Sequence, residues 1–227
     1  MRAVFGFQAT MITRQRAGFS LIELLAVVAI LAILAAAIFP ALSGASRKAD
    51  RAEAISRMRS LGVAMTLYSA DHDGVMVGPL WPGQVTEYDS TRAGRLIRDL
   101  APYLAIQDRS PPYVVEKFLP RAAIRALPGV APKNIRPFVM NHKVPVHGAE
   151  LSPWGNLAAN PPTQPVRASM LANGKKNWAL SEAYRTHPDV AGASWRANTP
   201  PAPLFGPQPL GLFFDGSVAF FDPTATP

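Results

Sequence analysis

The stretch that most limits what this chain can become is residues 19–39, FSLIELLAVVAILAILAAAIF, apolar except for Ser20 and Glu23. As a helix, its 21 residues would span about 31 Å, enough to cross a bilayer core of ~30 Å. The run is longer than the apolar core of a secretory signal. A chain of 227 residues would also struggle to bury a helix that is apolar all round. A membrane segment is therefore expected here. Residues 1–18 ahead of it carry Arg2, Arg14 and Arg16 and no acid. Beyond it the rules change: of 23 prolines, only Pro40 precedes residue 79, and proline is excluded from helix interiors and central strands.

Glu23 does not suit a plain anchor. A charge inside a membrane is costly and normally has a partner, yet no Lys, Arg or His lies between positions 19 and 39. A cut just before Phe19 would create an α-amino cation four residues away, or on a neighbouring copy. The segment RAGFSLIELL, residues 16–25, resembles the class III signal of type IV pilins and type II secretion pseudopilins. The resemblance combines a basic leader, a glycine, an aromatic residue, one acid and an unbroken apolar run. It implies that a membrane peptidase cuts after Gly18 and that the same enzyme N-methylates Phe19. It also implies that Glu23 neutralises the terminal amine of an adjacent subunit, and that Pro40 stands where the family often has a helix-kinking proline.

The partners implied are the prepilin peptidase/methyltransferase, other copies, minor pilin-like subunits and an inner-membrane assembly platform. The implied location is the inner membrane, crossed once, with the C-terminal domain periplasmic or extracellular and the subunit in a filament after assembly. Met11 offers an internal start that would shorten the leader to MITRQRAG. Arg47, Lys48, Arg51, Arg57 and Arg59 follow the apolar run, so this orientation rests on the leader motif and not on the distribution of positive charge.

From residue 43 to about 70 the pattern stays helical but becomes amphipathic. Ala54, Met58, Leu61, Met65 and Tyr68 recur at 4-3-4-3 spacing, one apolar stripe expected to pack on a globular core. Glu53 and Arg57 form an i,i+4 pair, while Pro40 and Gly44 should weaken or bend the helix between its halves. The sequence DHDG at 71–74 supplies turn formers and a glycine cap. LYSADHDG resembles the end of the long helix in a pseudopilin-like group of prepilin-type proteins.

Further on, 91–104 reads as a short helix with Leu96, Ile97, Leu100 and Leu104 on one side; 138–140 and 178–180 read as strands. Residues 212–221, LFFDGSVAFF, read as a hairpin turning at Asp215-Gly216, an ending similar to that of the same group. Residues 160–165 and 198–209 read as loops. The expected class is α+β: a long N-terminal helix, transmembrane and then amphipathic, packed on a small antiparallel sheet with Pro-rich loops, as in type IV pilins. The expected domains are a leader at 1–18, the helix at 19–72 and a Pro-rich α+β domain at 73–227.

Little in the chain points to chemistry. It contains no cysteine, which removes disulfides, thiolate metal sites and Cys nucleophiles. No HExxH, GxSxG, SxxK or P-loop pattern is present. His72, His142, His147 and His187 are expected to be solvated loop residues. No cofactor is expected. Asp71, Asp73, Asp215 and Asp222 are the calcium candidates, but an oxygen cage needs six to eight ligands, and acids at a helix end or turn are ordinary capping chemistry.

The net charge of +8 is spread along the chain. Removal of the leader lowers it to +5. Arg92, Arg95 and Arg98, with Lys175 and Lys176, could contact nucleic acid through phosphates; solvated faces are the simpler expectation. The function expected is a filament subunit. The alternative is an uncleaved, signal-anchored envelope protein whose outer domain binds a ligand or glycan through Trp81, Trp154, Trp178 and Trp195. A membrane-bound hydrolase has no constellation in its favour.

Overall fold

The computed structural model describes residues 20–157, 159–174 and 177–224; side chains at 37–43 and 172–174 fall outside this description. The leader, Gly18, Phe19, Lys175, Lys176 and the side chain of Pro40 therefore lie outside the described residues. The chain divides into two compact units, Met1–Ser46 and Arg47–Pro227.

A single helix, α1 (Leu21–Asp71), runs through Pro40 and Gly44 without ending. In the first unit every described side chain from 20 to 36 is exposed. Among the described residues no helix is long and apolar enough to cross a membrane. The expected segment 19–39 reaches beyond that window at both ends: 20–36 is 17 residues, about 26 Å of helix.

In the second unit the elements in chain order are β1 (Gly83–Gln84), β2 (Glu87–Tyr88), α2 (Leu96–Asp99), β3 (Tyr113–Val114), α3 (Arg121–Ala126), β4 (Phe138–Met140), β5 (Val144–Val146), β6 (Ala149–Leu151), β7 (Trp178–Glu182), β8 (Leu210–Phe213) and β9 (Val218–Phe220). Five strands form an antiparallel sheet in the order β1-β4-β7-β8-β9. Two small ladders, β2-β3 and β5-β6, stand beside it.

The α1 stripe is where its spacing predicts. Ala54, Met58, Leu61 and Met65 are buried, joined by Ala64, and Tyr68 packs partly buried against them. They meet Phe138, Met140, Leu180, Leu210 and Leu212 of the sheet in one core. Val139 points to the other face, with Ala183 and Val190, as the two-residue period of a strand requires. Leu119, Ala123, Leu127 and Ile135 form a smaller cluster under α3.

Both predicted strands are present, and β7 continues two residues further to Glu182. The hairpin is present too, pairing Leu212 with Val218 and Leu210 with Phe220. Its turn, residues 214–217, is closed by Phe213 N–H donating to the Ser217 carbonyl at 2.9 Å. Gly216 takes φ +83 there, a left-handed position that suits glycine in such loops.

One expectation is corrected, and the helix end is where it was expected. The helix predicted over 91–104 is only α2 followed by a 3₁₀ turn, Ala101–Leu104; Thr91 to Arg95 are turns and extended chain. Its apolar side is nonetheless buried, with Leu96, Ile97, Leu100 and Leu104 all in the core. At the end of α1 the first left-handed residue is Asp73 at φ 52, with Gly74 at φ 79 after it. Aspartate tolerates that conformation, and the Arg167 guanidinium donates to the Asp73 carbonyl.

Candidate functional site

The start of α1 is built around its one acid. Helix starts leave backbone N–H groups without partners, and Ser20-Leu21-Ile22-Glu23 has the S-x-x-E pattern that answers them. The Glu23 carboxylate turns back and accepts the Ser20 N–H at 2.9 Å; the Glu23 N–H donates to the Ser20 carbonyl at 3.0 Å. A negative charge in the first turn also complements the helix dipole. This capping role is legible in the sequence, and reading Glu23 only as an unpartnered charge misses it. After it Leu21 is 83% exposed and Ile22 72%. The large residues Leu24, Leu25, Val27, Val28, Ile30, Leu31, Ile33 and Leu34 are exposed as well. Gly18 and Phe19, the expected cleavage and methylation positions, precede the described residues.

In the second unit α1 presents its stripe inward and a second apolar edge outward, where Val63 and Leu67 are exposed. Glu53 and Arg57 form the expected pair at 2.5 Å. Arg51 lies over the Phe220 ring at 4.0 Å, fastening the helix to the terminal hairpin.

The calcium candidates are dispersed among ordinary roles. Asp71 accepts from the Tyr103 hydroxyl at 3.0 Å, Asp215 from the Ser217 N–H at 2.8 Å and Asp222 from the Thr224 N–H at 2.9 Å; Asp73 stands at the helix end. Among the described residues no three metal-ligating side chains come together.

The histidine expectation needs correction. His72 is exposed and stacks on Tyr68 at 3.8 Å, but His142 is half-buried and His187 fully buried. Desolvation pushes both imidazoles down to about 4. His187 sits edge-on to Trp178 and Tyr184, each at 5.3 Å. Glu182 carried no signal in the sequence: it is buried on β7 and accepts the Leu210 N–H at 2.7 Å. Its desolvation pushes the carboxyl up to about 7, against two backbone hydrogen bonds that lower it.

The three arginines are partnered. Arg92 meets Asp89 at 3.2 Å, Arg95 meets Glu87 at 3.6 Å and Arg98 meets Asp99 at 3.3 Å. Arg95 is not the solvated residue expected, its side chain being 14% exposed. Of the tryptophans, Trp154 has no free face, since it is fully buried with its N–H on the Asn141 carbonyl. Trp81 is 41% exposed.

Comparison with known proteins places the likeness at the N-terminus. Residues 13–39 match the model of the prokaryotic N-terminal methylation motif. Over 60 residues the chain is 43% identical to the type II secretion system core protein G of Pectobacterium carotovorum subsp. carotovorum, covering 26% of this chain and 38% of that protein. It is 38% identical over 60 residues to the protein of the same description from Aeromonas hydrophila, covering 26% of this chain and 42% of the relative. The chain thus aligns with about two fifths of the length of these curated relatives. No solved structure matches it. The N-terminal segment is pilin- or pseudopilin-like.

Proposed function

We propose that this chain is a prepilin-type structural subunit, cleaved after Gly18, N-methylated on Phe19 and assembled into a type IV pilus-like or type II secretion pseudopilus filament. The observation that carries the reading is the methylation motif at 13–39, which overlaps the start of a helix whose described apolar side chains up to residue 36 are all exposed. Such a surface is stable only against lipid or other apolar helices. Before assembly the stem lies in the inner membrane with the outer domain on the periplasmic side; afterwards the stems pack against one another. The subunit works by assembly and performs no catalysis.

Glu23 has a defined part in this scheme. Its carboxylate already turns back to Ser20, next to the amine that cleavage before Phe19 would create. In a low-dielectric filament core an unpaired carboxylate is costly, so the charge selects the register in which a neighbour's amine meets it.

The test is N-terminal peptide mass spectrometry on membrane-extracted protein, with and without a prepilin peptidase. A new N-terminus at Phe19 bearing one added methyl group is expected; an intact leader under active peptidase overturns the reading. Glu23→Val should abolish filaments while leaving the protein in the membrane, whereas a simple anchor would tolerate valine.

A further inference from the structure

Beside β1, at one edge of the five-stranded sheet, an open cleft of about 330 Å³ is lined by Trp81, Gly83, Arg92, Ala93, Arg95 and Arg136. We propose that this cleft is a binding site for a carboxylate-bearing sugar, a hexuronate, whose acid meets Arg95 and Arg136 and whose ring lies on Trp81. The inference is independent of whether the chain is cleaved at Gly18.

The charges give the first reason. Arg92 and Arg95 each have an acid, Asp89 and Glu87. Arg136 has no carboxylate within ion-pair reach among the described residues; its guanidinium donates to the Gly83 carbonyl and lies 5.4 Å from the Trp195 ring centre. One positive charge is left over, which matches a monoanion.

Unmade hydrogen bonds give the second. Buried Arg136 Nε has no hydrogen-bond partner, nor has Arg95 Nη1, which at 3.6 Å from Glu87 is within ion-pair reach but too far for a hydrogen bond. Buried donors left unsatisfied are costly, and a planar carboxylate is the acceptor that guanidinium groups match best. Burial first, and the Arg95 charge second, lowers the Arg136 pKa from its ordinary value; a bound anion would relieve both guanidinium groups.

The walls are fixed in advance. Buried Gln84 donates to the Trp81 carbonyl at 2.5 Å and to the Gly94 carbonyl at 3.2 Å, and accepts the Leu96 N–H at 2.7 Å. One side chain thereby ties the tryptophan wall to the arginine wall. Behind them a Cβ on Gly83 would come within 2.7 Å of the Trp195 ring, so only glycine lets that ring lie against β1. A pre-formed site loses less freedom on binding.

The exposed indole supplies a flat carbon-rich face, which a sugar ring covers and a bare inorganic anion does not. Nucleic acid would instead need a row of unpaired cations along its phosphates, and here two of the three arginines are already paired.

The test is isothermal titration calorimetry of the full chain in detergent micelles. The probes are D-galacturonate, its trimer, D-galactose, inorganic phosphate and an oligothymidine. Galacturonate should bind at least about tenfold more tightly than galactose, and Arg136→Gln should cost about tenfold. Arg92→Gln, at a cleft residue that is mostly exposed and already paired with Asp89, should weaken binding by less than Arg136→Gln does. A tighter trimer would identify a polysaccharide as the source, and equal affinities a free sugar acid; both support the proposal. No binding of galacturonate at tens of millimolar overturns it, as does equal binding of galactose. Tighter binding of phosphate or of oligothymidine overturns it as well, assigning the cleft to a different anion.

Discussion

The two halves of α1 are made of similar residues and live in opposite conditions. Between 20 and 36 leucine, valine and isoleucine are exposed on every side; between 54 and 68 a single stripe of Ala, Met, Leu and Tyr is covered by a sheet. Helix formation is common to both, so propensity does not separate them. What differs is what stands opposite. The first half has no polar face to give to water, while the second alternates the exposed Ser56, Arg59 and Thr66 with its stripe and can satisfy water and core together.

The largest effect that would break this comparison is loss of a covered side chain. Leu61→Ala removes a fully buried residue and should destabilise the second unit by about 4 kcal/mol, measured by urea unfolding of the full chain in micelles. Leu25→Ala, at a 65% exposed position, should change that unfolding by less than about 0.5 kcal/mol. Equal costs at the two sites would mean that the stem, too, packs on a domain of its own chain.

The next contrast is with pH, because the second unit buries ionisable groups. Glu182 titrates at about 7 when folded against an ordinary 4.5. The unfolded chain therefore loses this proton first, and stability falls as pH rises from about 4.5 to about 7. His142 and His187, pushed from 6.5 down to about 4, act in the opposite sense: their contribution is complete above about 6.5 and is lost as pH falls towards 4. The effects oppose each other in the same window. Glu182→Gln keeps an acceptor for the Leu210 N–H and removes one of them. The variant's gain in stability from pH 5 to pH 8 should then exceed that of the unsubstituted chain by about 2–3 kcal/mol, read from unfolding curves at the two pH values. A parallel pair of curves would show that Glu182 is hydrated in solution.

The smallest expected effect sharpens the comparison most. Val63 is 60% exposed although it lies in the covered half. Val63→Ser should shift unfolding by no more than about 0.5 kcal/mol, yet reduce filament yield in an assembly assay. If yield is unaffected, the outward edge of α1 takes no part in packing between subunits.

The covered stripe was legible because a 3.6-residue period sustained over four turns arises from a helix with one buried face and from little else. The hairpin was legible because Asp-Gly between two apolar runs is a strong turn signal. β1, β2 and β3 were not, since two residues are too short to show an alternation. The burial of Glu182, His142 and His187 was hidden for another reason. Whether a polar side chain is covered depends on segments far along the chain, as when Glu182 accepts from Leu210. The arginine cleft shows the same limit: Arg136 reaches Gly83 across 53 positions. The N-terminal methylation motif is the opposite extreme, a local pattern read at 16–25, whose match spans 13–39.

The strand order has a consequence for crowding. Open sheet edges are templates on which neighbouring molecules can zip together. In this sheet the margins are β1, of two residues, and β9, of three. The Gly83 carbonyl of β1 is already taken by Arg136, Pro82 precedes that strand, and Asp222-Pro223 follows β9. Neither margin offers a length of backbone worth copying. Two copies of this sheet therefore have little free backbone along which to pair at these margins.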